Sequence, residues 1–173
     1  MTNGFINNNF YSEGTSNAPA QPRFMAYLSA TTAAVTGDAT NYRPIFNTEG
    51  YDVGSWYNAS DGKATAPWSG WYLISCTLEL SEINDQDYYY WFIDDGSGGV
   101  KQTLGIGNVS AMKATSSYAN ILLLTSSTVM YLSAASVISI RIQSGGGTAN
   151  KCIKVVGGAG RSNFAAELLS RSV

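Results

Sequence analysis

The sequence predicts an all-β fold closed as a sandwich or a barrel. No window keeps apolar residues at three- and four-residue spacing between helix caps, whereas period-two runs rich in Tyr, Val, Ile and Thr recur throughout. Breaks such as VTGDAT, DDGSGG, TSST and QSGGGTANK separate these runs, and their Gly, Asp and Ser supply turns. Many short strands at such spacing bury their apolar faces by packing two sheets together. The chain of 173 residues, 45% hydrophobic, suffices for one sizeable core. Residues 1–22 are expected to form an arm and residues 23–173 the folded head.

The arm comes first. Residues 1–23 hold five Asn, two Pro, one Glu and one Arg, with Phe5, Ile6, Phe10 and Tyr11 scattered among them. Such a segment is too polar to build a core, so it is expected to order on a partner. Phe5, Ile6, Phe10 and Tyr11 would be the anchors, the Asn residues hydrogen-bonding spacers, and NAPAQP a stiffened hinge. The alternative is an arm that wraps its own assembly.

The strands expected after it cover residues 23–30, 41–46, 62–66, 70–80, 87–93, 99–106, 116–125, 128–132, 136–143, 153–156 and 163–169. In GWYLISCTLEL, Tyr72, Ile74, Cys76, Leu78 and Leu80 point one way and are all apolar. Trp71, Leu73, Ser75, Thr77 and Glu79 point the other way, apolar at first and polar later, as expected of a face partly covered by another subunit. ILLLTSSTVMYL is apolar on both faces over its first residues, which suits a strand between its own core and a neighbour. In YYYWFI, Tyr88, Tyr90 and Phe92 share one face and Tyr89, Trp91 and Ile93 the other. One set must be core. The other set is a subunit interface or an exposed platform for glycan, with Tyr88, Tyr90 and Trp91 as the candidate contacts, because aromatic faces stack on sugar rings.

Charge and composition exclude several functions. The net charge of −2 gives no basic field for nucleic acid or acidic lipid. With no His, Ser-His and Cys-His nucleophilic schemes and His-ligated zinc are absent, so no catalytic residue, cofactor or metal is assigned. Glu79, Glu82, Asp85, Asp87, Asp94 and Asp95 place half of the acidic residues in one stretch. Asp85 with Asp87, or Asp94 with Asp95, would be the ligands of a calcium ion, but no Asp-x-Asp-x-Asp-Gly loop is present and loop solvation is the favoured reading. Two cysteines allow one bridge at most, and Cys76 in its alternating run reads as a buried thiol. No run of 18 apolar residues is present, and the N-terminal residues, with no basic residue before Arg23 and no continuous apolar stretch, are not expected to act as a secretory leader.

Taken in order, RFMAYLSA, then YRPIFNTEGYDVGSWYNASDGKATAPWSGWYLISCTLEL, then ILLLTSSTVMYLSAASVISIRIQ, then RSNFAAELLS resemble the trimeric jelly-roll heads shared by complement's collagen-stalked q subunit and tumour necrosis factor. The resemblance covers roughly residues 23–170 and is strongest over 41–80. It implies an all-β, two-sheet antiparallel jelly-roll sandwich of about ten strands that forms a homotrimer through its inner sheet. Carried over by position, Phe24, Tyr72, Phe164 and Leu168 would lie in the core or at the subunit contact.

VTGDATNYRPIFNTEGYDVGSWYN looks like the version of this head found in bacteriophage structural proteins. That likeness implies a non-enzymatic virion protein, made in the host cytoplasm: a capsid decoration, head fibre or spike. It would be held to a capsid or tail protein by its arm and would contact a host-surface glycan or receptor. The alternatives are the receptor-binding tip of a tail fibre and a bacterial ligand- or glycan-binding module not on a virion.

Overall fold

The computed structural model describes residues 20–83, 86–108, 121–146 and 150–172, which contain twelve strands and no helix. They are β1 (Arg23–Tyr27), β2 (Thr32–Thr36), β3 (Thr48–Val53), β4 (Tyr57–Asn58), β5 (Lys63–Thr65), β6 (Gly70–Ser81), β7 (Tyr88–Asp94), β8 (Val100–Asn108), β9 (Ile121–Leu132), β10 (Val137–Gly145), β11 (Ile153–Val155) and β12 (Asn163–Arg171). The four anchors expected in the arm, Phe5, Ile6, Phe10 and Tyr11, lie outside the described residues.

One sheet runs β2-β11-β6-β12-β1-β3, with β9 along the opposite side of β6, and the other runs β4-β5-β10-β7-β8. Every pairing is antiparallel. Ten strands thus make two layers, β9-β6-β12-β1-β3 over β4-β5-β10-β7-β8. The short β2–β11 ladder is additional, joined to the far end of β6 through Lys154↔Ser81 and Val155↔Leu80.

Alternation decides what each strand buries. Tyr72, Ile74, Cys76, Leu78 and Leu80 of β6 all face the interior, as their spacing predicts. Opposite them stand Ile138, Ile140 and Ile142 of β10 and Trp91 and Ile93 of β7. At one end Phe24 sits 4.7 Å from Trp56 and from Tyr57 and 4.9 Å from Phe164, one stacked and two edge-on contacts. Tyr57 satisfies its hydroxyl by donating to the Phe46 carbonyl at 2.8 Å, and burial pushes its pKa up. Cys76 is a free, fully buried thiol whose pKa is pushed well up by desolvation, and Cys152 is also free.

Several boundaries differ from expectation for reasons of partnership. TSST is no break: β9 pairs residue by residue with the twelve-residue β6 across Thr125–Thr128, because a complete ladder satisfies the backbone whatever the turn tendency of Ser and Thr. Residues 41–46 contribute only a bridge between Tyr42 and Ile142, while residues 48–53 form β3 against β1. Glu49, Gly50 and Asp52 hid β3, which is tolerated as an edge strand with one exposed side. Strand β2 was hidden in the same way by its short, alanine-containing run, and it is held by β11. Gly70 begins β6 where an added Cβ would lie 2.3 Å from the Ser170 carbonyl oxygen, at the register shift between Leu168 and Ser170.

Candidate functional site

The side of β6 that does not face the core is the most unusual surface of the molecule. Because side chains alternate, the odd-numbered residues of β6, β9 and β1, and those of β12 before its register shift, point outward on this sheet, joined by Tyr51 of β3. The ladders place them in rows. Trp71 stands opposite Tyr131, with ring centroids 5.8 Å apart, and Leu73 opposite Val129. Next come Ser75 opposite Ser127 and Thr77 opposite Thr125, then Leu123 opposite Glu79 and Ile121 opposite Ser81. Leu123 is 59% exposed, and Ile121, Trp71, Val129 and Tyr131 are exposed to a similar degree. A shallow groove of about 180 Å³ between Leu73, Tyr51 and Ala165 continues the apolar area toward β1 and β3. Large apolar side chains clustered in this way mark a surface made to be covered.

Charges on this face lie beside groups of opposite sign. Arg23 and Glu167 are register partners, and the Arg23 guanidinium lies 5.9 Å from the Tyr51 ring centre. Arg161 donates to Glu79 at 2.6 Å, and Lys154 bonds Glu82 at the far edge.

Phe24, Tyr72, Phe164 and Leu168 are all buried inside a single chain, so they are core residues and leave any subunit contact to their outward-pointing neighbours. The alternation in RFMAY and NFAAELL carried that distinction, since the buried set is the even-numbered one. Tyr51 could not be found in the same way, because β3 has no such alternation.

On the other sheet, Trp91 lies in the core and offers no ring face to a ligand, which removes it from the aromatic platform. Tyr90 stacks on buried Phe92 at 4.8 Å, with its hydroxyl 3.3 Å from Thr103 Oγ1, and Tyr88 is half-buried. Tyr88 and Tyr90 share the outward face of β7; Trp91 points inward because neighbouring residues in a strand face opposite ways.

Asp94 and Asp95 have protein partners of their own. The Asp94 carboxylate is fully buried and accepts hydrogen bonds from Ser139 and from Arg141, with Arg43 at 3.5 Å and the Gly96 amide at 3.1 Å. Burial alone would raise its pKa, but the Ser139 and Arg141 hydrogen bonds outweigh it and hold the carboxyl below the usual range. Asp95 Oδ1 accepts from the Ser97 hydroxyl and from the amides of Ser97, Gly98 and Gly99, which lowers its pKa and closes the loop before β8. Asp85 lies outside the described residues, and Asp87 is at the surface. Among the described residues no group of three or more Cys, Asp or Glu could share a metal ion.

Neither protein-family models nor curated proteins gave a match to this chain. Solved structures do match in fold. The globular domain of zebrafish complement 1qA protein superposes with a TM-score of 0.59 at 17% identity, over 88% of this chain and 99% of that one. Murine APRIL at pH 8.5 gives 0.57 at 12% identity, over 86% and 99%. Eiger TNF from S. frugiperda gives 0.53 at 14% identity, over 88% and 93%. The chain therefore has the jelly-roll fold of the tumour-necrosis-factor and complement-q heads, as the sequence resemblance implied.

Proposed function

We propose that this protein is a non-enzymatic binding and assembly module that works as a homotrimer, with the outward face of the β6–β9 sheet as the subunit contact. The observation that carries this reading is the bare apolar surface of Trp71, Leu73, Ile121, Leu123, Val129 and Tyr131 on a head whose own core is already closed. The fold it shares with the heads named above supports the same reading. Catalysis has no foothold in a chain without His, whose buried Cys76 has its thiol pKa pushed up and whose Asp94 is locked between Arg43 and Arg141.

The finer reading is a virion structural protein, a capsid decoration, head fibre or spike. It rests on the sequence likeness to bacteriophage heads and on the composition of the arm, whose Phe5, Ile6, Phe10 and Tyr11 would grip a capsid or tail protein. The arm enters the head at Pro22, where the carbonyl accepts a hydrogen bond from Leu168 N at 3.0 Å, so the last arm residue is fixed to β12. Tyr88 and Tyr90 would be the candidate contacts for a host-surface glycan.

Sedimentation equilibrium tests the trimer: three times the 18.4 kDa chain mass is expected, and a monomer at all concentrations would remove the reading. Deleting residues 2–14 should leave a folded trimer that no longer joins particles. Particles that still carry the truncated protein would refute the anchoring role.

A further inference from the structure

The outward face of β6 and β9 is not uniformly apolar. Two adjacent rows of hydroxyls cross it, Ser75 opposite Ser127 and Thr77 opposite Thr125, the two threonine Oγ1 atoms 3.4 Å apart. Asn163, the register partner of Thr77, extends the polar band onto β12. On one side of it lie Leu73, Val129, Trp71 and Tyr131, and on the other Leu123 and Ile121 of β9, opposite Glu79 and Ser81 of β6. We propose that this hydroxyl band sets the register of self-association, admitting copies of this chain in one axial position and rejecting shifted ones. The proposal rests on the reading of this face as a contact between copies.

Apolar contact alone is non-directional, so a purely apolar face could slide along a copy of itself with little change in buried area. A slide of two residues along the strand, roughly 7 Å, keeps the same side chains facing outward. With the band present, a two-residue slide takes one of its two rows off the band, setting Ser75 and Ser127 against Leu73 and Val129 in one direction or Thr77 and Thr125 against the Leu123 row in the other, and a four-residue slide takes both off. A hydroxyl displaced onto aliphatic side chains loses water and gains no partner. Only alignment of band with band satisfies them.

The chemistry also selects the occupant. A hydroxyl both donates and accepts, so a layer of hydroxyls complements a rotated copy of itself, which a layer of carboxylates or ammonium groups does not. The charged groups on this face do not oppose self-contact, because Arg23 and Glu167 are of opposite sign at paired positions and Glu79 is bonded to Arg161 within one chain. A single polar position in an apolar seam fixes register and copy number in coiled coils by the same physics.

The test compares four proteins by native mass spectrometry and by exchange between isotope-labelled and unlabelled subunits. Thr77→Val with Thr125→Val keeps side-chain shape and removes two hydroxyls, and Ser75→Ala with Ser127→Ala does so with smaller residues in case the valines disturb folding. Both should keep the β-sheet circular dichroism of the wild type. Both should also lose the single defined oligomer, populating more than one species or exchanging subunits at least tenfold faster. Band variants with one species and unchanged exchange would overturn the register proposal while leaving self-association standing. The fourth protein, Leu123→Asp, tests the contact itself: if it associates like the wild type, the contact lies elsewhere and the register proposal falls with it.

Discussion

The outward faces of the two sheets solve opposite problems. On the five-stranded sheet, β7 and β10 carry a carboxylate, Asp94, that is completely buried, yet every strong demand it makes is met by Ser139, Arg141, Arg43 and Gly96 from the same chain. On the other sheet, β6 and β9 leave Leu123, Ile121, Trp71 and Tyr131 about half exposed to water among the described residues. The first surface is complete as a monomer. The second is the face that the proposed contact between copies would cover. Polarity alone is therefore a poor guide to function here, because the most charged cluster is structural and the plainest aliphatic strand is the candidate contact.

Substitutions separate the two surfaces. The largest loss is expected from Phe164→Ala, which empties the aromatic cluster beneath both sheets and should cost about 3–5 kcal/mol in urea unfolding. Asp94→Ala should come next at about 3 kcal/mol, since it leaves the Arg141 and Arg43 cations without their partner, and it should not change the oligomeric state. If it did dissociate the protein, the division between a self-sufficient and an incomplete face would be wrong.

The same carboxylate sets an acid limb. Its pKa in the folded protein lies below the unfolded value of 3.8, so the folded state binds this proton less readily. Its contribution is fully present above 3.8 and is lost as pH falls from there through the lowered folded value. Thermal unfolding between pH 5 and pH 2, roughly the span over which carboxylates titrate, should fall more steeply for the wild type than for Asp94→Ala.

Leu123→Asp should leave monomer unfolding within about 0.5 kcal/mol of the wild type, because the side chain touches little of its own chain, yet it should shift sedimentation toward monomer. Ile106→Thr on β8 is the control with the smallest effect. Ile106 is 70% exposed on the five-stranded sheet, and its loss should change neither stability nor assembly measurably. A change in assembly would mean that the contact reaches the β8 edge.

Period-two alternation was enough for the all-β class and, in GWYLISCTLEL, for separating inside from outside, while Phe24, Phe164 and Leu168 were left between core and contact until the structure buried them. Local sequence determines these because a strand offers only two faces and the apolar one must be hidden. It could not say that residues 48–53 are a strand and 41–46 hardly one, since Glu49, Gly50 and Asp52 pair only because β1 is beside them. Nor could it carry β9 across TSST without knowing that β6 matches it for twelve residues. YYYWFI showed its two faces but not which was core, and only the β10 partner turned Trp91 inward. Likewise the sequence showed Ser75 and Thr77 on one strand, while Thr125 and Ser127 lay in TSST, which read as a break. Their union into one band exists only after the chain has closed its sandwich, because register between strands far apart in sequence is a property of the sheet and of no single strand in it.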